Sequence, residues 1–403
     1  MFRVWALTRM IALLACGCIV LLALKPSLGG VVASRAHSDK EKAKGKGKWD
    51  GMSVGGIVPH VRPLEPNCTA PPRQVFILHI PKTGGTSLCG HMKKTGACVA
   101  ESYPSWGNCW VVTDGPEWCC DKVKPLLAYG QVEKTCTERR KYPAAYTMSE
   151  RYMDTDPTTG RTLFCEGITY GVLVRDAVGR ATSMLHHYLT KWPTKKSGPS
   201  ELYAYREALA ALFVTRPPKQ VQEFFDLLDT LPPFSAASRR LVNHTFASVP
   251  MPPQLATAMA GGVEGATQYF FQYSEDLERH AYFVNAFTSN YLVRMLLGKQ
   301  LGDEPLLASS LAINTAALEN AKWAMDQFHF VLHSESLSTE AAAGIEETVF
   351  QSRVQVTDNR AEHDEFYELL LGPDFAPWLA RRNQHDINIV NSIDDRLLPN
   401  WKG

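Results

Sequence analysis

The sequence predicts an α/β fold: three layers around a central parallel sheet, with a disulfide-rich loop insertion. Three observations carry that expectation. Val75 to Leu78 is an unbroken apolar run, too short for a helix and rich in β-formers, as a buried strand is. Ile168 to Val174 is a second strand, and each of the two runs straight into a loop and a helical pattern. The cysteines outside the N-terminal apolar segment all lie between Cys68 and Cys165, which segregates a stapled, loop-rich part from the rest.

The chain of 403 residues is 45% hydrophobic and 21% charged, an ordinary globular composition with ample core-forming material. A net charge of +1 gives nucleic-acid binding no global electrostatic support. No internal repeat is visible.

Taken in order, residues 1–9 form a short tail, and Met10 to Leu24 are 15 consecutive uncharged, mostly apolar positions. Two readings compete: a membrane anchor with Arg9 snorkelling, or a cleaved signal peptide. Fifteen is short for a span of ~20 residues and long for a signal h-region. Lys25-Pro26 follows, where a small-x-small cleavage site would be needed, so a transmembrane signal-anchor is preferred. Either reading delivers the rest of the chain to the secretory lumen. The five lysines between Lys40 and Lys48 run against the positive-inside rule, since only Arg3 and Arg9 lie on the other side. Residues 25–70, rich in Gly, Lys, Ser and Pro, read as a flexible stem, and residues 71–403 as the lumenal domain. The eight cysteines outside the apolar segment permit four disulfides, and the sequons at Asn67 and Asn243 suit a glycoprotein.

The first strand is stopped by Pro81, and Lys82, Thr83, Gly84, Gly85, Thr86 and Ser87 follow before a helix that closes near Gly96. Strand, glycine-bearing loop and helix start make a phosphate cradle. The Gly84, Gly85 and Thr86 amides are expected to converge on an anion, helped by the Lys82 ammonium and the Thr86 and Ser87 hydroxyls. The layout is P-loop-like, but the lysine precedes the glycines, unlike the nucleotide-triphosphate order G-x-x-x-x-G-K-[ST]. The alternative is a tight surface turn.

Between Cys98 and Cys136 the chain carries Trp106, Trp110 and Trp118, a stapled insertion whose aromatics are candidates for stacking on sugars. A short strand is expected over Ala144 to Met148 and a turn over residues 154–161. The second strand then ends in Arg175-Asp176, with a helix from about Val178 that carries Arg180 and Ser183. Glu201 to Phe213 and Val221 to Leu231 read as amphipathic helices, whereas Pro232 to Gly262 reads as an exposed irregular loop. Helix then strand is expected over Leu318 to Val331, and helix over Asp364 to Leu371.

The two strand-tip elements carry a family resemblance. PKTGGTS at 81–87 resembles the 5′-phosphosulfate loop of the sulfotransferases, and Arg175-Asp-Ala-Val-Gly-Arg-Ala-Thr-Ser183 resembles their 3′-phosphate element, R-D-P-x-x-R-x-x-S. The spacing from Arg175 to Ser183 and the middle Arg180 are kept; Ala177 stands where the family usually has proline. Fainter blocks lie at Asn290 to Gly298, Leu318 to Glu335 and Asn383 to Asp386. The resemblance, to membrane-anchored, Golgi-type carbohydrate sulfotransferases, implies a single-pass type II membrane protein with a lumenal catalytic domain. It implies sulfuryl transfer from 3′-phosphoadenosine 5′-phosphosulfate to an acceptor hydroxyl, with no metal. Lys82 would meet the charge on the leaving oxygen, residues 83–87 would hold the 5′-phosphate, and Arg175 with Ser183 the 3′-phosphate. The implied acceptor is a glycan or, alternatively, a protein tyrosine; the Lys191, Lys195 and Lys196 patch leans toward an anionic glycan. Competing readings are a P-loop small-molecule kinase and a non-catalytic lumenal glycan-binding protein.

An acceptor hydroxyl needs a general base. The candidates between the two elements are His91, Glu101, Glu133, Glu138, Glu150 and Glu166. Glu150 is preferred because it follows a short apolar strand, and the carboxyl ends of sheet strands collect an α/β site's groups. Glu101 is the runner-up.

Overall fold

Strand β1, Val75–His79, is buried along its whole length and lies inside the sheet, with a parallel neighbour on each side. The computed structural model describes residues 68–99, 136–140, 146–150, 152–191, 200–247, 249, 275, 277–302, 307–354, 364–393 and 396–397. Around β1 lie β2 (Tyr146–Ser149), β3 (Thr169–Val174), β4 (Phe330–His333) and β5 (Arg396–Leu397), in the order β2-β1-β3-β4-β5. The first four are parallel, as the continuous apolar runs predict, and β5 adds an antiparallel edge. Val99 adds a single parallel bridge to Tyr146 beyond β2.

Alternate residues of β1 feed two separate cores. Val75 and Ile77 pack with Leu88 and Met92 of helix α1 (Gly85–Lys94), whereas Phe76 and Leu78 pack with Leu185 of α2 (Ala177–His186). Helices therefore cover both faces, which makes three layers. The second face is built further by α3 (Ser200–Thr215), α4 (Pro218–Thr230) and α6 (Tyr291–Leu297), and the first by α8 (Glu340–Phe350). Between them in the chain come α5 (Ala236–Phe246) and α7 (Thr315–Gln327), and the chain closes with α9 (Glu365–Leu371), α10 (Ala376–Arg382) and α11 (Gln384–Asn391). The expected turn forms at Asp156, whose carboxylate accepts the Thr158 amide at 2.7 Å.

Helix α5 corrects the reading of 232–262 as an irregular loop. Ser235 caps it by accepting the Ser238 amide, and Val242 and Phe246, four apart, bury its inner face. Residues 250–262 lie outside the described ones.

The disulfides Cys68–Cys98 and Cys136–Cys165 are formed, and Cys89 is disulfide-bonded as well. Each complete pair anchors one flank of the expected insertion, Cys98 to Cys68 and Cys136 to Cys165; the body of the insertion lies outside the described residues, as do Trp106, Trp110 and Trp118. Beside the second pair, buried Arg139 donates to the Tyr170 hydroxyl at 2.9 Å and pairs with Asp154. Among the described residues no helix is long and apolar enough to cross a membrane; the apolar segment 10–24 is not among them.

The topology makes one place special. From β1 the chain pairs β2 on one side and β3 on the other, so strand order reverses there. In doubly wound sheets the crevice outside the carboxyl ends of the strands at such a reversal is where ligands bind.

Candidate functional site

That crevice is bordered by the loop after β1. Its backbone is forced out of regular geometry within a few residues. Lys82 has φ 72° and Gly84 φ 90°, so a left-handed residue precedes the left-handed N-cap of α1. Glycine tolerates this conformation; lysine does not adopt it readily, and a strained non-glycine residue in a crevice is a mark of function. Thr83 pins the loop from below, with its amide and hydroxyl both donating to the Ile80 carbonyl, at 3.1 and 2.7 Å. The helix closes at once, Leu88 N–H donating to the Gly84 carbonyl at 3.1 Å.

Under the loop sits His79, the last residue of β1 and 3% exposed. Its Nε2 accepts the Gly85 amide at 3.1 Å. A Cβ on Gly85 would lie 2.3 Å from that ring, so only glycine lets the ring approach. On the other side Nδ1 is 3.1 Å from Glu150 Oε1. The register explains the meeting: Leu78 pairs with Ser149, and His79 and Glu150 are the next residues along. Burial, with the Lys82 charge adding to it, pushes the imidazole down to about 3. The ring is therefore neutral. Its contact with Glu150 is that of an N–H dipole and a carboxylate, not an ion pair, and the carboxylate oxygen lies off the N–H direction.

The tip of β3 faces the same loop. Arg175 Nη1 donates to the Lys82 carbonyl at 3.2 Å, and its Nε lies 3.5 Å from Glu335 Oε1. That pair is 31% and 52% exposed and holds Arg175 only weakly. Asp176 caps α2 by accepting the Gly179 amide at 2.5 Å, and the helix starts at Ala177 without proline. Arg180 turns inward: Nη2 donates to the Phe287 carbonyl at 2.9 Å, and the guanidinium lies 4.9 Å from the Tyr291 ring centre. Nearby Asp386 accepts the Leu292 and Val293 amides at 2.8 and 3.0 Å. Burial pushes the Arg180 pKa down and the Asp386 pKa up, each offset in part by the other's charge. A small recess lined by Ile80, Thr83, Arg175, Arg180 and Asp386 joins the two tips.

No family model, curated protein or solved structure matches this chain. What the site can do rests on its own geometry.

The structure brings Lys82 through Ser87, Glu150 and Arg175 to one end of the sheet. Lys82 is half-buried, Thr86 exposed and Ser87 8% exposed. Two expectations change in detail. The Gly85 amide points inward to His79, so it does not join the Gly84 and Thr86 amides around an anion. The Thr83 hydroxyl is likewise engaged with Ile80 and is fully buried, which makes Thr83 a support of the loop. Ser183 is 6% exposed and lies along α2, roughly 9 Å of helix rise beyond Ala177. Among the described residues, no three His, Cys, Asp or Glu side chains gather as metal ligands would.

The other base candidates fall away from this place or outside view. His91 is held on α1, with Nε2 2.8 Å from Ser352 Oγ. Glu166 is exposed and precedes β3, at the sheet end opposite the crevice. Glu138 is in a one-turn helix, Cys136–Arg139, well before β2, and Glu101 and Glu133 lie outside the described residues. Sequence reasoning missed His79 and Glu335. The signal for His79 was present: a lone titratable residue closing an apolar strand just before the loop.

Proposed function

We propose that this chain is a sulfotransferase that uses 3′-phosphoadenosine 5′-phosphosulfate. The observation that supports this best is the union of two strand tips in one crevice. A left-handed, lysine-bearing loop at β1 meets an arginine at β3 through the contact of Arg175 with the Lys82 carbonyl. A donor with phosphate at both ends needs two anion sites, and the contact between a lysine-bearing loop and an arginine at neighbouring strand tips supports that reading.

In the reaction the acceptor oxygen attacks sulfur in line, a new S–O bond forms, and the bond from sulfur to the 5′-phosphate oxygen breaks. The leaving group is 3′-phosphoadenosine 5′-phosphate, and the acceptor's proton passes to the Glu150 carboxylate. Lys82 meets the charge that grows on the departing oxygen. The loop at 84–87 cradles the 5′-phosphate, and Arg175, with Ser183 behind it, takes the 3′-phosphate. Catalysis on this plan is positioning and charge stabilisation, as in phosphoryl transfer.

The acceptor is proposed to be a glycan hydroxyl. The tryptophan-rich segment 106–118 and the N-terminal apolar segment suit a Golgi-type, membrane-anchored enzyme acting on glycans in the lumen. The test uses the full chain with radiolabelled sulfate donor against a panel of glycans and tyrosine peptides. Label on a glycan, lost with Lys82→Ala, is the expected result. Label on peptides alone would make the acceptor tyrosine. Transfer from ATP instead would make the protein a kinase, and glycan binding with no transfer would make it a lectin-like protein on this fold.

A further inference from the structure

His79 belongs to no step above, yet it touches two parts of the site. We infer that His79 is a positioning residue: one neutral imidazole, fixed in the Nδ1–H tautomer, holds the Gly85 amide on one side and orients the Glu150 carboxylate on the other. The role rests on the reading of Glu150 as the acceptor's base.

The tautomer follows from the contacts. Nε2 lies 3.1 Å from the Gly85 nitrogen, which can only donate, so Nε2 offers its lone pair. A neutral ring then carries its proton on Nδ1, the atom 3.1 Å from Glu150 Oε1. The charged or titratable groups around this pair include Lys82 from the loop and Tyr291 from α6. Lys82 and burial both disfavour a second proton on the ring, and the ring keeps an acceptor face as well as a donor face. The carboxylate oxygen lies off the Nδ1–H direction, and catalytic hydrogen bonds often tighten only in the complex with substrate. Closure of the loop on a phosphate would draw Gly85 and, through the ring, tighten the aim of Glu150. Loop and base are then coupled through a single side chain.

The glycine is what lets the ring reach the amide, since a Cβ at residue 85 would meet the ring at 2.3 Å and push it away.

Two measurements test this. Nitrogen-15 spectra of histidine-labelled full chain, assigned by comparison with His79→Gln, should show an Nδ1–H, Nε2-acceptor ring that does not titrate between pH 8 and 5. An Nε2–H tautomer, or titration in that window, would overturn the proposal whatever the protein catalyses. Kinetics give the second arm. In His79→Gln the side-chain amide can accept from Gly85 and donate to Glu150, and kcat should stay within about tenfold of wild type. His79→Leu can do neither, and kcat should fall by about 10- to 100-fold at saturating donor. Equal kcat for the Leu and Gln variants would overturn the positioning role and leave the sulfotransferase reading intact. A wild-type chain that binds no 3′-phosphorylated nucleotide and transfers no sulfuryl group would defeat that reading itself, and this role with it.

Discussion

The tips of β1 and β3 face the same crevice and are built on opposite plans. At β1 the backbone is irregular: left-handed Lys82 and Gly84, a Gly85 pressed on a buried ring, and a helix that begins without a side-chain cap. At β3 the backbone is ordinary. A capped helix starts at Ala177, and a cationic side chain, Arg175, reaches out to the loop. The difference teaches where each tip is vulnerable. A main-chain site fails when a side chain is added, and a side-chain site fails when one is removed.

The largest effect is expected at Lys82, where both plans meet. Lys82→Ala should lower turnover by about 10²–10³-fold, the usual consequence of removing one transition-state charge partner. The melting temperature should hold, since alanine at this left-handed position is strained much as lysine is. An unfolded variant would show that Lys82 serves the fold instead.

Gly85→Ala sharpens the contrast. A methyl group 2.3 Å from the His79 ring must displace it, and overpacking of this kind costs about 1–3 kcal/mol. Denaturant melts should register the loss, whereas Arg175→Ala, at a partly exposed position, should melt within about 0.5 kcal/mol of wild type.

Acid should weaken the β1 tip through His79. The unfolded chain takes up a proton on this residue below about 6.5, and the folded chain does not until about 3. Stability is therefore unaffected above 6.5 and falls as pH drops through the window between these values, by about 1.4 kcal/mol per unit. At pH 5 the loss from this residue is about 2 kcal/mol. Comparing wild type with His79→Gln at pH 7 and pH 5 isolates it: the variant should lose that much less on acidification.

A modest effect is expected at the helix cap of the β3 tip. Asp176→Ala removes the cap bond to Gly179 and should cost about 1 kcal/mol, with Asp176→Asn recovering most of it.

Much of this architecture is legible in the sequence, and what is not has identifiable reasons. β1 and β3 are legible because they are apolar and bounded by Pro81 and by Arg175-Asp176. The helices after them follow from the loops that precede them. Helix α5 is obscured by Pro232-Pro233 and by the small residues around Ser235, although Val242 and Phe246 carry the helical spacing. β5 is two residues long and has no pattern to show. The composition of the loop at 81–87 is visible, but not the inward turn of the Gly85 amide, which depends on where a ring six residues earlier lies. The meeting of His79 with Glu150 depends on the register of β1 against β2, and the meeting of Arg175 with Glu335 on the pairing of β3 with β4. Neither long-range pairing is written in any local stretch.

The most direct measurement is calorimetric titration of the full chain with 3′-phosphoadenosine 5′-phosphate and with adenosine 5′-phosphate. If the crevice joins a 5′-phosphate loop to a 3′-phosphate arginine, the doubly phosphorylated nucleotide binds at least about tenfold tighter, a difference of about 1.4 kcal/mol, and Arg175→Ala removes that preference. Equal affinities in the wild type, or a preference that survives Arg175→Ala, would contradict it.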